Sequence, residues 1–434
     1  MLKALIVVSS LQGGGTERVV SHLANDWARR SWAVSVLTLF HGPARPAFPL
    51  DARVVHRDLG LSVRGRRPMP DGETVRALKG TFDRGSPPER RLLLRELGLI
   101  AAVRRAIRGL RPDVVLSFID ATNVRVLLAA EGLGVPVIVS ERSDPVRNAL
   151  ADGMTRLRRR VYPRAACLVA QTAAMAAFFA GEMGDRLRVI HNPVVRPPEP
   201  PPEPPAGPLP GPLSGAGPSQ PTGRTIVALG RLGEEKGFDL LIQAFAQVAP
   251  RHPAWSLSIF GSGPRRAGLE RMVRERGLSA QARLPGFTTR PFDVLRAADL
   301  FVLSSRSEGF PNALCEAMSC GCPVIAADCS SAVREIVRDG LDGVVVPAGD
   351  PRALAQAIDR LMASEDERRR LGARAVDVVD RFALEKAMAQ WDAIVLATAR
   401  RRDGATRAVR PPAPVFPRPL SVPPSIAAPL GAVE

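Results

Sequence analysis

The chain opens on LKALIVVSS, an apolar run without alternation, as in a strand buried on both faces. GGG follows, then TERVVSHLANDWARR with apolar residues at helical spacing, then a second unbroken run, WAVSVLTLF. Strand, glycine turn, helix and strand in that order form a βαβ unit and predict a parallel sheet. RPDVVLSFI, VPVIVS and AACLVAQ continue the rhythm as strands, with helical segments between them. Residues 61–88 lack periodicity and are rich in Arg, Gly and Pro, which predicts an exposed loop.

The pattern breaks between Pro193 and Gly223, where a Pro-rich stretch cannot supply a core and is expected to be extended or disordered. The βα rhythm then restarts. TIVALG, WSLSIFG, LFVLSS, CPVIAAD and GVVVP read as strands, and GFDLLIQAFAQVAP, PRRAGLERMVRERG, the stretch after Pro311 and residues 331–338 read as helices. The expectation is an α/β protein of two Rossmann-like doubly wound domains facing a cleft, with ligands at the C-terminal ends of the strands. The first domain covers 1–192, a linker 193–223 and the second domain 224–383. A helix at 384–400 crosses back to the first domain, and 401–434 is a Pro-rich disordered tail.

Charge changes the picture more than composition does. The 434 residues carry a formal net charge of +17, supplied overwhelmingly by Arg. Such a field favours polyanions or anionic lipid; a GC-rich coding habit that places Arg on the surface produces the same number. Aromatics are only 5% of the chain, which argues against stacking platforms and hence against nucleic acid as a partner. No apolar stretch reaches the length of a membrane span, and MLKALIVVSS reads as a first strand instead of a signal peptide. The five cysteines form no disulfide framework, so a reducing cytoplasm is expected.

Three places carry candidate chemistry. Gly13, Gly14 and Gly15 sit between a strand and a helix, where backbone N–H groups can approach an anion; a tight turn without a ligand gives the same pattern. The loop is not G-x-G-x-x-G, and the next strand ends without the acidic residue expected at a ribose, so NAD is disfavoured. Arg231 and Lys236 lie on a loop leading into a helix, suited to a diphosphate or simply solvated. Glu308 follows a strand and Glu316 falls one to two turns into the helix begun at Pro311, so the pair brackets a helix mouth. Carboxylates repel phosphate but accept hydrogen bonds from hydroxyls. A nucleotide-sugar has hydroxyls on both sides of a diphosphate. Its ribose would meet Glu316 and its sugar Glu308, with Arg231, Lys236 and helix N–H groups on the charge between.

The segments GRLGEEKGFDLLIQAF, GSGPRRAGLE, LPGF, RAADLFVLSSRSEGFPNALCEAMSCGCPVIAADC and GLDGVVVPAGD together resemble a retaining glycosyltransferase of family 4. That family has two Rossmann-like domains, the GT-B fold, and an E-x7-E signature that coincides with Glu308 and Glu316. The resemblance covers nearly all of 225–383. It is looser in the first half, where GGTERVV, VSERSDP and VIHNPV resemble the branch that builds lipid-linked and surface polysaccharide. It implies a phosphate-binding pair at Arg231 and Lys236, and donor-site backbone around Gly309, Phe310, Pro311 and Asn312. It also implies Leu314 beside the nucleoside, Gly286 and Phe287 along the base, and the acceptor in the first domain. Arg231, Lys236 and Glu308 would be catalytic; Gly14, Gly15 and Glu316 would bind the donor. Many relatives have a His where SERSDP offers Arg142 beside Glu141. An Arg cannot serve as a base, but it can stabilise a leaving phosphate or hold the acceptor.

The implied reaction transfers a glycosyl group with retention from a nucleoside-diphosphate sugar, UDP favoured over GDP, to a saccharide or polyprenyl-diphosphate-linked acceptor. No cofactor is expected. No D-x-D occurs in the chain, and the cations would stand in for a metal. A glycosidase would place two carboxylates on opposite faces of a sugar, whereas these share one loop–helix unit. Cys315, Cys320, Cys322 and Cys329 lack the paired spacing of zinc ligands, so no metal site is expected. His191 reads as a hinge contact in preference to a catalytic acid. The competing readings are a non-catalytic sugar-binding or scaffold protein of the same fold and a nucleotide-sugar epimerase. RRLLLRELGLIAAVRRAIRGLRP, with Leu93, Leu97, Ile100, Val103 and Ile107 at helical spacing, fits a core-packed helix or one lying on anionic lipid. With TRLRRRVYPR nearby, a peripheral place at the inner face of the plasma membrane is expected.

Overall fold

The computed structural model describes residues 1–40, 46–61, 69–146, 150–199 and 223–402. The unbroken apolar runs become strands covered on both faces. In the first half these are β1 (Lys3–Val8), β2 (Ala33–Phe40), β3 (Val55–Leu61), β4 (Val114–Phe118), β5 (Val137–Ser140), β6 (Cys167–Ala170) and β7 (Leu187–Val189). Their helices are α1 (Gly15–Arg29), α2 (Gly72–Asp83), α3 (Pro87–Leu110), α4 (Asp120–Ala129), α5 (Asp152–Val161) and α6 (Ala173–Met183).

The second half contains β8 (Arg224–Leu229), β9 (Trp255–Phe260), β10 (Ala282–Gly286), β11 (Leu300–Leu303), β12 (Val324–Ala327) and β13 (Val344–Val346). Its helices are α7 (Phe238–Val248), α8 (Arg266–Glu275), α9 (Pro291–Arg296), α10 (Asn312–Ser319) and α11 (Ser331–Ile336). They continue with α12 (Pro351–Ala363), α13 (Glu365–Ala375), α14 (Val378–Arg381) and α15 (Leu384–Arg402).

All strand pairs within the two sheets are parallel. The seven-stranded sheet runs β3-β2-β1-β4-β5-β6-β7 and the six-stranded sheet β10-β9-β8-β11-β12-β13. Each is doubly wound, as the sequence predicts. The order reverses between β1 and β4 and again between β8 and β11, which leaves a crevice at the C-terminal ends of those strands. Along β1, Leu5 and Val7 enter one core and Ala4, Ile6 and Val8 the other, so the five residues after the exposed Lys3 are all apolar and no alternation survives in the sequence.

The helix α15 packs on the first sheet: Ala387, Met388, Trp391 and Val395 join its core, with the Trp391 ring 5.7 Å from Phe118. Trp27 Nε1 donates to Asp392 at 2.7 Å, and Arg30 grips the same carboxylate at 2.7 and 2.8 Å. Where the chain passes between the halves, Val194 N–H donates to Phe382 C=O at 2.8 Å.

The exposed loop expected at 61–88 is not what forms. Helix α2 occupies Gly72–Asp83, and Asp71 caps it by accepting from Thr74 N–H at 2.7 Å. The buried face of α2 is Thr74, Leu78 and Thr81, two of the three polar, so hydrophobic periodicity passes over it. The Arg-rich stretch 62–68 lies outside the described residues, as do 200–222 of the expected linker and the tail from 403 onwards. Strands β3, β7 and β10 also lack an apolar run. β3 is an edge strand with a mostly exposed sequence, VHRDLGL. In α3 the stripe Leu93, Ile100, Val103 and Ile107 packs into the core, which decides between the two readings of that helix: its apolar side is covered. No helix among the described residues is long and apolar enough to cross a membrane.

Candidate functional site

The rim of the second sheet is built from two loops clamped to each other. After β8 the chain turns through Gly230 and Arg231, and a Cβ on Gly261 would lie 1.8 Å from the Gly230 carbonyl oxygen, so only glycine fits there. Leu232 N–H donates to Ser262 C=O at 2.8 Å, fixing the Arg231 turn to the end of β9. Arg231 is exposed and pairs with no carboxylate among the described residues. Lys236 ends the turn, and its Nζ donates to Glu308 Oε1 at 2.7 Å. Ser305 donates to the same oxygen at 2.7 Å. Arg306 forks onto Asp239 at 2.7 and 2.6 Å, while its N–H reaches Glu235 C=O at 2.8 Å. That fork holds the Asp239 carboxyl below its ordinary range. Glu308 is thereby delivered onto Lys236 by a second, independent ion pair.

Pro311 is the cap of α10, one place earlier than a first helical residue, and Leu314 N–H donates to its carbonyl at 3.1 Å. The first-turn N–H groups of α10 face the crevice side of the sheet, as helix starts do in parallel α/β units. Glu316, one turn on and 9% exposed, does not meet Glu308. Its partner is Arg18, which reaches from α1 in the other half and also stacks 5.0 Å over Phe48. Burial pushes the Glu316 carboxyl up, and Arg18 pulls it back. Each glutamate thus has its own cation, one from each half. Leu314 is wholly buried in the core beneath, and Phe310 packs with Phe382 and His191 at 5.7 and 6.1 Å. Gly286 ends β10 at φ +102°, and Phe287 beyond it is 68% exposed.

Two of the singled-out glycines lie where the halves touch. A Cβ on Gly15 would fall 1.9 Å from Asn312 Nδ2, and one on Gly309 would fall 2.1 Å from the Arg142 carbonyl oxygen. Gly14 caps α1 in extended conformation, and the starts of α1 and α10 meet from opposite sides. His191 bonds Glu335 at 2.7 Å, and Glu335 also accepts from Ala173 N–H at 3.0 Å, a hinge contact across the halves.

The rim of the first sheet is polar but buried. Glu141 accepts from Tyr162 and, at 3.4 Å, from Asn123; burial pushes its carboxyl up to about 7. Arg142 lies 4.9 Å over the Phe118 ring and donates to Asn192 Oδ1 at 2.6 Å. Asn192 in turn donates to Asn312 at 2.9 Å. Ile119, where β4 ends, has φ +76°, a strained conformation for a β-branched residue. Sequence reasoning passed over Arg18, Asn192 and Asn123. The first stands in GGTERVV and the second in VIHNPV, so the motifs were visible while the partners they reach were not. Cys315, Cys322 and Cys329 are packed in the apolar core, and burial pushes the Cys320 thiol up to about 11.

Residues 13–195 match the family described as Glycosyltransferase Family 4, and residues 214–377 match Glycosyl transferases group 1. An exopolysaccharide phosphotransferase of Streptomyces coelicolor is 30% identical over 400 residues, 91% of this chain and 40% of that protein. The lipopolysaccharide core biosynthesis glycosyltransferase LpsE of Rhizobium meliloti is 34% identical over 163 residues, 37% of this chain and 46% of LpsE. The chain therefore spans less than half the length of these curated relatives. Among solved structures, Anabaena HepE in complex with UDP superposes with a TM-score of 0.67 at 17% identity, covering 91% of this chain and 100% of HepE. Sucrose-phosphate synthase of Thermosynechococcus elongatus gives 0.70 at 18% identity, covering 93% and 100%. Matched in both halves and built on two facing doubly wound sheets, the chain belongs to glycosyltransferase family 4 and has the GT-B fold.

Proposed function

We propose that the chain transfers a glycosyl group, with retention, from a UDP-sugar to a hydroxyl of a saccharide or polyprenyl-diphosphate-linked acceptor in bacterial polysaccharide assembly. The observation that carries this reading is the Lys236–Glu308 pair at the mouth of α10, with Arg231 exposed on the same turn and on no carboxylate among the described residues. The donor diphosphate lies between Arg231, Lys236 and the backbone of Gly309, Phe310, Pro311 and Asn312. The sugar hydroxyls meet Glu308 and the ribose meets Glu316. Gly286 and Phe287 line the base, Leu314 supports the nucleoside side, and Gly14 and Gly15 close the site from the first half. As the bond from the anomeric carbon to the outer phosphate breaks, negative charge grows on that phosphate, and fixed cations there lower the barrier. The acceptor oxygen bonds to the anomeric carbon, and its proton passes to the departing phosphate.

The HepE structure solved with UDP favours UDP as the base-bearing product, and LpsE supports a surface-polysaccharide setting. The acceptor is presented at an anionic membrane face. An open concavity of about 590 Å³, lined by Arg84 at the end of α2, Arg90 on α3 and Arg156, Arg159 and Arg160 on α5 against only Asp83 and Glu89, supplies the charge for that contact. Flotation with anionic liposomes at low and high salt tests it; no binding in either removes the membrane claim.

A second reading rests on the name of the Streptomyces relative: transfer of a sugar phosphate. Breaking the anomeric C–O bond releases UDP, whereas breaking the P–O–P bridge releases UMP. Nucleotide release from a UDP-sugar panel with mixed lipid acceptors is therefore the deciding measurement. Acceptor-dependent UDP supports glycosyl transfer, UMP supports the second reading, and no release with any donor supports a non-catalytic protein.

A further inference from the structure

Arg142 is 8% exposed, yet its guanidinium is only partly used. Nη1 donates to Asn192 and the plane stacks on Phe118, while Nε and Nη2 have no hydrogen-bond partner. The carboxylate that acts on it electrostatically, Glu17, makes no ion pair with it, and burial pushes that carboxyl up towards its neutral form. Burial also pushes the guanidinium itself down, to about 9. A buried cation with free donors and no directly paired carboxylate is costly and suits a site that an anion fills.

Its surroundings say where that anion sits. Arg142 follows the C-terminal end of β5, its carbonyl abuts Gly309, and through Asn192 it is tied to Asn312 at the start of α10. Glu17 lies in the first turn of α1, directly after Gly14 and Gly15. The starts of two helices and an underused, enclosed guanidinium therefore lie together where the two halves meet. A planar fork with two free N–H positions matches phosphate oxygens.

We infer that Arg142 binds a phosphate group in the cleft from the side of the first half. The phosphate belongs either to the donor diphosphate or to a diphosphate-bearing lipid acceptor. This rests on the glycosyltransferase reading above for its substrates, but not for its first measurement.

That measurement is calorimetric binding of inorganic diphosphate, UDP and uridine to the full chain and to Arg142→Gln and Arg142→Lys, each checked by thermal melting. If the donor supplies the phosphate, Arg142→Gln weakens UDP and diphosphate at least tenfold and leaves uridine unchanged, and Arg142→Lys recovers part of the loss. If the acceptor supplies it, UDP affinity is unchanged and diphosphate weakens. KM for a diphosphate-linked acceptor then rises at least tenfold, while KM for the same saccharide on a neutral aglycone does not move. Equal losses for uridine, UDP and the neutral acceptor assign Arg142 to packing alone and overturn the inference. So does a folded Arg142→Gln protein that matches the wild type on every probe. A wild type that binds diphosphate but releases no nucleotide from any donor sinks the functional reading and leaves Arg142 judged by its own variants.

Discussion

The two sheet rims face one crevice but handle charge in opposite ways. At the second rim each cation near the crevice either sits on a carboxylate, as Lys236 does on Glu308 and Arg306 on Asp239, or stands in solvent, as Arg231 does. At the first rim the ionisable groups are covered and their partners are neutral: Arg142 on Asn192 and Phe118, Glu141 on Tyr162 and Asn123. Half-open ion pairs exchange partners cheaply, because water compensates each end. Buried groups with neutral partners cannot; they change protonation or wait for a ligand. One rim is thus built to trade its charges with a substrate, the other to hold a fixed electrostatic demand.

The sharpest break of this contrast is Lys236→Ala. Lys236 is one of four lysines among sixty basic residues, at a place where a compact, rotatable ammonium replaces the usual Arg. Its loss removes a charge aimed at the departing phosphate, so kcat/KM should fall about 10³-fold, roughly 4 kcal/mol, as for other single electrostatic donors. Stability should barely change, since Ser305 still donates to Glu308. Nucleotide-release kinetics beside a thermal melt check both halves of the statement. A near-normal rate removes the second rim from the chemistry.

The first rim should instead register in stability against pH. The Glu141 carboxyl keeps its proton in the folded chain up to about 7, against 4.5 in the unfolded chain. Between those values the unfolded state binds fewer protons, so stability present at pH 4.5 is lost as pH rises to about 7 and stays lost above it. The shift corresponds to roughly 3 kcal/mol at most. Glu141→Gln removes that dependence. Relative to the wild type, the variant should gain 2 to 3 kcal/mol, roughly, between pH 5 and pH 8 in urea unfolding. An equal difference at both pH values means that Glu141 ionises without penalty and that the rim is not as dry as it looks.

The contrast also explains what could be read in advance. Both sheets were legible because strands covered on two faces are mostly apolar: β1 is unbroken from Ala4 to Val8, and β9 admits only the small Ser256 and Ser258 among its large apolar residues. The second rim was legible because its function is local in sequence: Arg231 and Lys236 share one turn, Glu308 and Glu316 one loop and helix. The first rim was not. Arg142 is explained by Asn192, 50 residues away, and Glu316 by Arg18, 298 residues away, and no periodicity encodes such pairs. Helix α2 was lost for another reason. Its inner face is Thr74, Leu78 and Thr81, and Asp71 marks its start only to a reader looking for caps.

The smallest expected effect probes a charge that reaches from one rim to the other. Arg18 comes from the first half, yet it behaves like a second-rim group: it is partly exposed and rests on a carboxylate, Glu316. Removing it as Arg18→Ala leaves that buried carboxyl without the cation that offsets its desolvation, so its pKa rises further. A carboxyl shifted that way holds its proton more readily and, once protonated, accepts hydrogen bonds from a ribose less well. UDP should bind about tenfold more weakly at pH 6.5, or about 1.4 kcal/mol. The defect should be smaller at pH 8.5, because higher pH favours the ionised carboxylate, and the wild type should change less between the two. Titration calorimetry at the two pH values reads both numbers. If Arg18→Ala binds UDP more tightly than the wild type at both, Arg18 is a competitor for Glu316 and not its support, and the two rims are held together at the donor's expense.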